Sequence, residues 1–507
     1  MLIRIPFVFS FLLVVNGLSA QIKPLQIDSV VQKAMRDWKI PGVAIGIVHK
    51  DSVVYAKGFG ITDLVSKRAV NKTTAFPIWS MGKSFTAFAL ALLEQQNKVH
   101  LDTAILRYGS DQFKRLWRNQ PTLNAIDLLS HRTGLETFQG DFLWSASTLS
   151  AKKLAARWPS LSPAYSTRAG FHYSNLAYLM AGELIQQVSS LSWQQYLQQN
   201  VFSALGVRNI TVYPKAIEKL LNRASGYSVV ADTVLPISET KQTRIEAFGG
   251  MYADIESMLD WLRLHINKGR LNGQELFPAA IVSRVLNAQN SIGEMYLPDG
   301  THPKTDYALG WESRNYHGVQ VYSHGGAYAG FLSMMGFVPE IQLGFVVLTN
   351  SDAHELCEAL RWQIIDAAIG RPFVNYTVNI QQYLAAVAAA AEKEKRLIND
   401  TVAMHLPTSV PIKKFVGVYS NPVYGKVWIK QMGAHGLTMR FQQHPQLKAS
   451  LYHLGGNRFY TVYNQIIFGS AILPFAVAGD SIHSFKLFVN PSVEFTEYTF
   501  RKTKKTK

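Results

Sequence analysis

The sequence predicts an α+β protein in which a large mixed domain is followed by a small all-β domain. Three observations lead to this fold class. The chain opens with an amphipathic helix and an antiparallel hairpin, a nearly all-apolar helix follows at Phe85, and short alternating strands take over from about Pro411. A length of 507 residues suits two domains, and 48% hydrophobic with 17% charged residues favours packed cores over disorder.

The beginning of the chain predicts a secretory signal peptide over residues 1–20. Arg4 supplies the positive start, residues 6–15 are apolar but too few to span a bilayer, and Leu18-Ser19-Ala20 offers small residues ahead of Gln21. We expect cleavage after Ala20 and a periplasmic or secreted protein. A retained membrane anchor is the alternative.

The first domain, expected over residues 21–380, begins with the helix whose apolar face runs from Ile27 to Trp38 and which ends at Pro41-Gly42. The helix after Ser80 is apolar all round, so it should be buried. The remaining predicted elements of this domain are strands Val43–Val48, Val53–Lys57, Gly330–Val338 and Gly344–Leu348, and helices Leu176–Val188, Ile255–Ile266 and Glu355–Ala368.

A helical linker over residues 381–410, centred on the Ala-rich stretch Ala385–Lys395, should connect this domain to the second one at residues 411–507. Short alternating runs separated by Gly and Asn indicate a small barrel or sandwich. The predicted strands are Phe415–Tyr419, Lys426–Lys430, Leu437–Phe441, Arg458–Tyr463, Ser484–Val489 and Phe495–Phe500.

Charge and cysteine content restrict the partners. The formal net charge is +17, which favours nucleic acid or an anionic envelope surface, but no nucleic-acid module is recognisable and export argues against one. Part of the excess lies in Arg501–Lys507, which we expect to be a solvated tail, with cell-envelope contact as the alternative. Cys357 is the single cysteine, so no internal disulfide forms, and we interpret it as a buried apolar residue. No His, Cys and Asp spacing suggests a metal, and we expect no cofactor.

The strongest chemical signal is Ser80-Met81-Gly82-Lys83. A serine hydroxyl needs a base, and a lysine three residues later shares its helical face. Burial by the apolar helix would lower the lysine pKa, and the helix N-terminus would place the Ser80 N–H near a developing oxyanion. The same pattern occurs at Ser150–Lys153 and Ser238–Lys241, but neither precedes a buried helix.

The second signal is Tyr173-Ser174-Asn175 ahead of a helical stretch. A tyrosine beside a lysine can have a lowered pKa and transfer protons, and an asparagine can hydrogen-bond an amide substrate. Tyr419-Ser420-Asn421 repeats the pattern in the β-rich tail, where we interpret it as a strand end.

The third signal is His324-Gly325-Gly326-Ala327. Paired glycines allow a strand to approach a ligand closely, and the Ala327 N–H would be a second oxyanion donor. A lone histidine at a strand start is usually structural, and the same interpretation applies to His131, His317 and His435.

In this order, the three motifs resemble those of the β-lactamase-related, penicillin-recognising serine hydrolases, which include class C β-lactamases, D-aminopeptidases and related esterases. The resemblance covers Ile27 to Gly370. The tail around Phe415–Tyr419 is similar to the lipocalin-like domain that often accompanies this family. Further matching segments are Ile40-Pro41-Gly42, Gly58-Phe59-Gly60, Leu128–Leu135, Gly249–Tyr252 and Tyr307–Trp311.

The resemblance implies an antiparallel sheet flanked by helices plus an all-helical part, followed by a small β-barrel. It also implies catalysis through an acyl-Ser80 intermediate. Lys83 and Tyr173 would then act as base and acid, His324 would assist or bind, and the substrate would contact Asn175, Gly325, Gly326 and Ala327.

One departure affects the expected substrate. Penicillin-targeted members commonly carry Lys-Thr-Gly where this chain has His324-Gly325-Gly326, and histidine is at most partly charged at neutral pH. This favours the D-aminopeptidase and esterase branches and a small-molecule or short-peptide substrate. The alternatives are a true β-lactamase and a non-turnover penicillin-binding sensor or cell-wall-binding protein. The oligomeric state is open, and specificity should reside in residues 136–170 and 210–245.

Overall fold

The computed structural model describes residues 24–207, 209–230, 232–237, 247–352 and 354–503. The predicted signal peptide and the Ser238–Lys241 match therefore lie outside the described residues. Within those ranges, the structure contains no helix of sufficient length and hydrophobicity to span a bilayer.

An antiparallel sheet forms the centre of the first domain. In the described part of the chain it has eight strands: β1 (Gly42–His49), β2 (Ser52–Gly60), β3 (Asn290–Glu294), β4 (Lys304–Tyr307), β5 (Glu312–Tyr316), β6 (Val319–Tyr328), β7 (Phe331–Val338) and β8 (Leu343–Thr349). Their order across the sheet is β2-β1-β8-β7-β6-β5-β4-β3. The N-terminal hairpin thus pairs with the last strand, with Val43 opposite Thr349, which brings both ends of the domain together.

Helices cover both faces of this sheet. Among the described residues, those of eight or more residues are α1 (Pro24–Asp37), α2 (Lys83–Gln95), α3 (Asn175–Ser189), α4 (Ile255–Ile266), α5 (Ala279–Leu286), α6 (Leu356–Ala368) and α7 (Tyr376–Ala403). Alternate residues of β8 face opposite cores, as the period of a strand requires. Phe345 and Val347 pack with α1 and α6, whereas Val346 and Leu348 pack with α2 and α4.

A helical part lies beside the sheet between α2 and α4, built around α2 and α3, which are buried along nearly their whole length. Its shorter helices are Asp111–Lys114, Ala125–Leu129, Ala151–Ala155, Trp193–Leu197, Ser203–Leu205 and Pro214–Ile217. Three short ribbons pair Phe76–Pro77 with Tyr252–Ala253, Tyr227–Val230 with Thr233–Pro236, and Arg270–Leu271 with Gln274–Glu275.

The second domain is a closed antiparallel barrel, so the structure confirms the predicted fold class. Its strands in the described chain are β9 (Gly417–Asn421), β10 (Gly425–Met432), β11 (Gly436–Phe441), β12 (Lys448–His453), β13 (Arg458–Tyr463), β14 (Ser470–Ala478), β15 (Ser481–Leu487) and β16 (Tyr498–Lys502). Tyr419 pairs with Lys502 to close it. Aromatic rings fill the interior, with Phe475 packed at 5.4 Å or less from Phe415, Phe459 and Phe485.

The structure differs from the expectations in two respects. Strands β3, β4 and β5 of the sheet and strands β12 and β14 of the barrel were not predicted. The basic end was expected to be a solvated tail from Arg501, but Arg501 and Lys502 belong to β16, because they complete the barrel by pairing with β9 and β15. The predicted stretch Ala385–Lys395 lies within α7, which is largely exposed.

Candidate active site

Ser80 sits on a tight turn at the start of the buried helix α2. Residues Trp79–Gly82 form a 3₁₀ turn and α2 begins at Lys83. Trp79 has φ 46, a left-handed conformation that costs a non-glycine residue about 1–3 kcal/mol. The ring of Tyr328, 4.8 Å from that of Trp79, packs against this residue. The turn therefore presents Ser80 in a strained, packed conformation, and the first-turn N–H groups have no partner within the helix.

Lys83 is completely buried beneath Ser80. Its Nζ lies 2.9 Å from Ser80 Oγ, 2.6 Å from Asn175 Oδ1 and 2.8 Å from the carbonyl oxygen of Phe248. Burial lowers the pKa of Lys83 well below its usual range, and the attraction of Asp141 opposes this only in part. Burial thus favours the neutral amine of Lys83, which contacts the serine hydroxyl as the motif and the apolar helix predicted.

Tyr173 approaches Ser80 from the helical part, and the Ser80 hydroxyl is near enough to oppose part of the rise in the Tyr173 pKa. Its ring stacks on His131 at 4.2 Å and lies 4.8 Å from Lys83 Nζ. The lowered tyrosine pKa expected from the sequence is wrong for this structure. Burial raises the pKa of Tyr173, and the neutral Lys83 offers no cation to offset it. Tyr173 is therefore protonated at neutral pH and can donate a hydrogen bond.

His131, within the matching segment Leu128–Leu135, has the structural role expected for it. It is fully buried, and its Nδ1 accepts the N–H of Ser174 at 3.0 Å. The Ser174 hydroxyl in turn accepts the N–H of Ala177 at 3.1 Å and caps α3. On the other side of Tyr173, the N–H of His172 donates to the carbonyl oxygen of His131 at 2.9 Å, so the backbone is fixed on both sides of Tyr173.

Asn175 has both ends of its amide occupied by protein groups. Its oxygen accepts from Lys83, and its Nδ2 donates to Asp141 Oδ2 at 2.5 Å. Asp141 is a site residue that sequence reasoning did not identify, although it lies within the predicted specificity segment 136–170. It is buried, its Oδ1 has no hydrogen-bond partner, and burial raises its pKa to about 8. At neutral pH Asp141 is therefore largely a neutral carboxylic acid.

Strand β6 passes directly over the Ser80 turn, at the point where the paired glycines predicted a close approach. A Cβ on Gly326 would collide with the carbonyl oxygen of Ile78, so only glycine fits there. The Ser333 hydroxyl donates to the same Ile78 oxygen at 3.1 Å. Ala327, the next residue of β6, pairs with Leu332 and lines the cleft together with Ser80.

His324 faces the same cleft with both ring nitrogens engaged. Its Nδ1 lies 2.7 Å from the carbonyl oxygen of Gly325, which can only accept, so Nδ1 carries the proton. Nε2 then accepts from the Tyr307 hydroxyl at 2.8 Å. Burial, reinforced by Lys83, lowers the pKa of His324 to about 4. His324 is therefore neutral and supplies no positive charge to the cleft.

The cleft between the sheet and the helical part has a volume of about 450 Å³. Its ionisable lining includes four carboxyl groups, and none of the described lining residues is a lysine or an arginine: the four are Asp141, Glu312, Glu355 and Glu358. Cys357 also lines it, and burial raises the pKa of its thiol, in agreement with a role as a buried apolar residue. Within the described ranges, no cluster of three or more His, Cys, Asp or Glu side chains is placed to hold a metal ion.

The competing motifs have local structural roles. The Ser150 hydroxyl accepts the N–H of Lys153 at 3.4 Å and caps the short helix Ala151–Ala155. The Tyr419 hydroxyl donates to the carbonyl oxygen of Phe415 at 2.7 Å inside the barrel. His317 contacts Asp299 at 2.7 Å, outside the cleft lining. Of the described Ser-x-x-Lys matches, Ser80–Lys83 is the one that stands at the start of a buried helix and beside the cleft.

Comparison with known proteins identifies relatives of the whole chain and of its first domain. A family model described as Beta-lactamase matches residues 27–368. The chain is 22% identical over 479 residues to the unguisins hydrolase ungD of Aspergillus violaceofuscus, an alignment that covers 88% of this chain and 83% of that protein. It is 25% identical to the protein flp of Staphylococcus aureus (strain MW2), over 67% of this chain and 66% of that one.

Solved structures show the same architecture. The octameric penicillin-binding protein homologue from Pyrococcus abyssi aligns with a TM-score of 0.60 at 19% identity and covers 94% of this chain and 99% of that one. EstCE1, a hydrolase with promiscuous acyltransferase activity, aligns with a TM-score of 0.56 at 18% identity and covers 68% of this chain and 97% of that one. At these identities the likeness establishes the fold.

Proposed function

The chain is a hydrolase that belongs to the beta-lactamase family, and from that premise we propose that it cleaves amide or ester bonds of small substrates through an acyl-Ser80 intermediate. The observation that carries the proposal is the environment of the Lys83 amine. Its nitrogen contacts one hydroxyl and two carbonyl-type oxygens, and burial keeps it neutral.

A neutral amine has two N–H donors and one lone pair. The oxygens of Asn175 and Phe248 can only accept, so they take the two donors. The lone pair is left for the third neighbour, the Ser80 hydroxyl at 2.9 Å. This arrangement supports Lys83 as the general base for Ser80, since the acceptor for the serine proton is oriented before substrate binds.

The proposed reaction proceeds in two halves. The Ser80 proton moves to Lys83 as Oγ bonds to the substrate carbonyl carbon, and the N–H groups of Ser80 and Ala327 bind the oxyanion. The bond to the leaving group then breaks, and the leaving group receives a proton through Tyr173. Water attacks the acyl-Ser80 ester in the second half, with the proton transfers reversed, and frees Ser80 and the acid product.

The charge of the cleft supports a neutral or cationic substrate. Glu312 and Glu358 are paired with Arg314 and Arg361, whereas Glu355 has no ion pair among the described residues. The neutral His324 stands where a penicillin-targeted relative would carry the lysine that holds a carboxylate. We therefore propose short peptides with a free amino group, including D-amino-acid peptides, or uncharged esters. The unguisins hydrolase and the EstCE1 hydrolase among the similar proteins are compatible with either class.

Covalent labelling tests the intermediate. A fluorophosphonate probe followed by peptide mass spectrometry should place the adduct on Ser80, and Ser80→Ala should abolish both labelling and hydrolysis. Ser150→Ala, in the competing motif, serves as the matched control and should keep both. Absence of an adduct on Ser80 in folded protein, with hydrolysis retained by Ser80→Ala, would overturn the proposal.

A substrate panel tests the class. We expect kcat/KM to be higher for a D-alanine p-nitroanilide and a short-chain p-nitrophenyl ester than for nitrocefin. A nitrocefin value higher by orders of magnitude would show that the protein is a β-lactamase despite the neutral His324.

The likeness to penicillin-binding protein homologues supports a second candidate, a sensor that is acylated without turnover. The two functions differ in time course. A steady state of product release after the first acylation identifies the hydrolase, whereas a burst of one product per protein molecule identifies the sensor.

We also propose that the protein is exported, on the basis of the predicted signal over residues 1–20. N-terminal sequencing of the protein from a secreting host should begin at Gln21. Retention in the membrane with Met1 intact would instead support the anchor.

A further inference from the structure

The barrel reaches into the cleft of the first domain through the segment between β15 and β16. Ser492 and Val493 of this segment line the cleft that contains Ser80. Phe495 stacks on Phe138 of the helical part, with ring centroids 5.8 Å apart and planes at 10°. The cleft is therefore completed by residues of the second domain.

Between these residues, Glu494 is buried and its carboxylate is hydrogen-bonded to the first domain. Oε1 accepts the N–H of Gly140 at 2.6 Å, and Oε2 accepts the N–H of Phe142 at 2.9 Å. From the barrel, the hydroxyls of Tyr424 and Tyr498 donate to the same carboxylate at 2.7 Å and 2.6 Å. All four neighbours are donors, which favours the ionised carboxylate, but burial outweighs them and raises the pKa of Glu494 to about 7.

The two backbone N–H groups that Glu494 binds lie on either side of Asp141. Gly140 has φ 90, in the left-handed region that favours glycine, and a Cβ there would collide with Leu176. The position of this turn fixes Asp141, whose Oδ2 accepts from Asn175, and the other end of the Asn175 amide accepts from Lys83. Glu494 of the barrel is thus connected to Lys83, the proposed general base, through the Gly140–Phe142 turn and the hydrogen bonds of Asp141 and Asn175.

We propose that Glu494 is a positioning residue for Lys83, acting through the Gly140–Phe142 turn, Asp141 and Asn175, so that the barrel is part of the catalytic apparatus. The inference rests on the proposed function of Ser80 and Lys83. The second domain would then contribute to the reaction through Glu494, and its packed interior would not need to bind a ligand.

The charge of Glu494 gives this role a measurable signature. Where Glu494 is ionised, above about pH 7, its negative charge helps to keep Asp141 protonated, and a neutral Asp141 favours an uncharged Lys83. Removal of the charge lets Asp141 ionise more readily, which stabilises the protonated form of Lys83. The acid limb of the pH–rate profile, along which activity rises as Lys83 loses its proton, must then move to higher pH. The other titratable groups that face these three among the described residues include Tyr173, Tyr178, Tyr328, His131, His324, Tyr424 and Tyr498.

The test compares Glu494→Gln with Glu497→Gln. Glu497 lies on the same segment but forms an exposed ion pair with Lys486, so it is the matched control. The rate of Ser80 labelling by a fluorophosphonate and kcat/KM on the ester are measured from pH 5 to 10. We expect Glu494→Gln to react slower by on the order of 100-fold near neutral pH, with its acid limb displaced upward, and Glu497→Gln to match the wild type.

The outcomes separate the two proposals. No labelling of wild-type Ser80 would refute the proposed function and this inference together. Labelling of Glu494→Gln at the wild-type rate, or a loss that is the same at every pH, would refute the inference alone. If Glu494→Gln does not fold, Tyr498→Phe decides, because it removes one donor and keeps the carboxylate. Loss of the Tyr498 hydrogen bond raises the pKa of Glu494, so Tyr498→Phe should react somewhat slower than the wild type, with its acid limb displaced to higher pH by less than in Glu494→Gln. An unchanged pH profile would refute the inference.

Discussion

The two ends of the cleft accommodate ionisable side chains away from water in different ways. At one end, the nucleophile cluster (Ser80, Lys83, Asn175 and Asp141) holds its amine and its Asp141 carboxyl group neutral by burial. At the other end, the arginine cluster (Glu312, Arg314, Glu358 and Arg361) keeps its charges and pairs them. Burial tends to raise the pKa of Glu358, but the adjacent Arg361 more than offsets this and the pKa is lowered.

This difference in charge state distinguishes the group proposed to react, Lys83, from the arginines, which stabilise the structure. A buried charge without a partner shifts its pKa and neutralises, whereas a paired one stays ionised. The unpaired Lys83 thereby gains the lone pair that a base needs. The paired arginines have their charges satisfied by Glu312 and Glu358 and stack on Trp362, with the guanidinium of Arg361 at 4.6 Å from the ring. Each of the following variants tests one side of this comparison.

The largest effect is expected for Lys83→Ala. Among the described residues, Lys83 is the only one whose basic nitrogen contacts Ser80 Oγ. We expect kcat/KM to fall by on the order of 10⁴-fold, by analogy with other nucleophile and base pairs. Lys153→Ala, in the competing motif, should leave the rate unchanged. A Lys83→Ala enzyme within tenfold of the wild type would show that the base lies elsewhere.

In the arginine cluster the expected effect is on stability. Arg361→Met leaves Glu358, whose side chain is 26% exposed, without its partner. Removal of one member of a fully buried pair costs about 3–5 kcal/mol of unfolding free energy, so we expect a loss below that range. Chemical denaturation measures it. The double variant Arg361→Met/Glu358→Leu should recover most of the loss, because it removes both charges. No recovery in the double variant would show that packing, not charge, explains the loss.

Asn175→Ala tests whether the asparagine serves the base or the substrate. In the structure both ends of its amide are bound to protein, at Lys83 and Asp141. We therefore expect kcat to fall by on the order of 100-fold with little change in KM. A rise in KM at unchanged kcat would instead support the substrate-binding role that the family resemblance implied.

Much of the fold followed from local sequence patterns, and the exceptions have physical reasons. The period of apolar residues located the helix after Ser80 and the hairpin at β1 and β2. Strand β14 was missed because Pro474 interrupts it, and proline usually argues against a strand. Closure of the barrel depends on pairing between strands far apart in the chain, which no local pattern encodes.

For the site, motif and spacing singled out Ser80, Lys83, Tyr173, Asn175 and the glycines of β6. In the structure Lys83 lies buried behind Ser80, and the other residues line one cleft. Asp141 and Glu494 were missed because each is a single carboxylate in a loop, and their importance comes from a contact between the two domains. The Tyr173 pKa was misjudged because its direction depends on burial and on the charge state of Lys83, and neither is visible in the sequence.

The smallest effect is expected for Glu355, which lines the cleft beside the arginine cluster but lacks an arginine of its own among the described contacts. Removal of water by the surrounding protein atoms, together with the nearby Glu358, raises the pKa of Glu355 to about 7, although part of its side chain remains exposed to solvent. Glu355 should attract a cationic amine more strongly as the pH rises through 7 and the carboxyl group ionises. Glu355→Gln should therefore lower kcat/KM for an amino-bearing peptide by about two- to fivefold at pH 8, as for a partly exposed ion pair, and leave an uncharged ester unaffected. Equal losses on both substrates would show that Glu355 shapes the cleft and does not select charge.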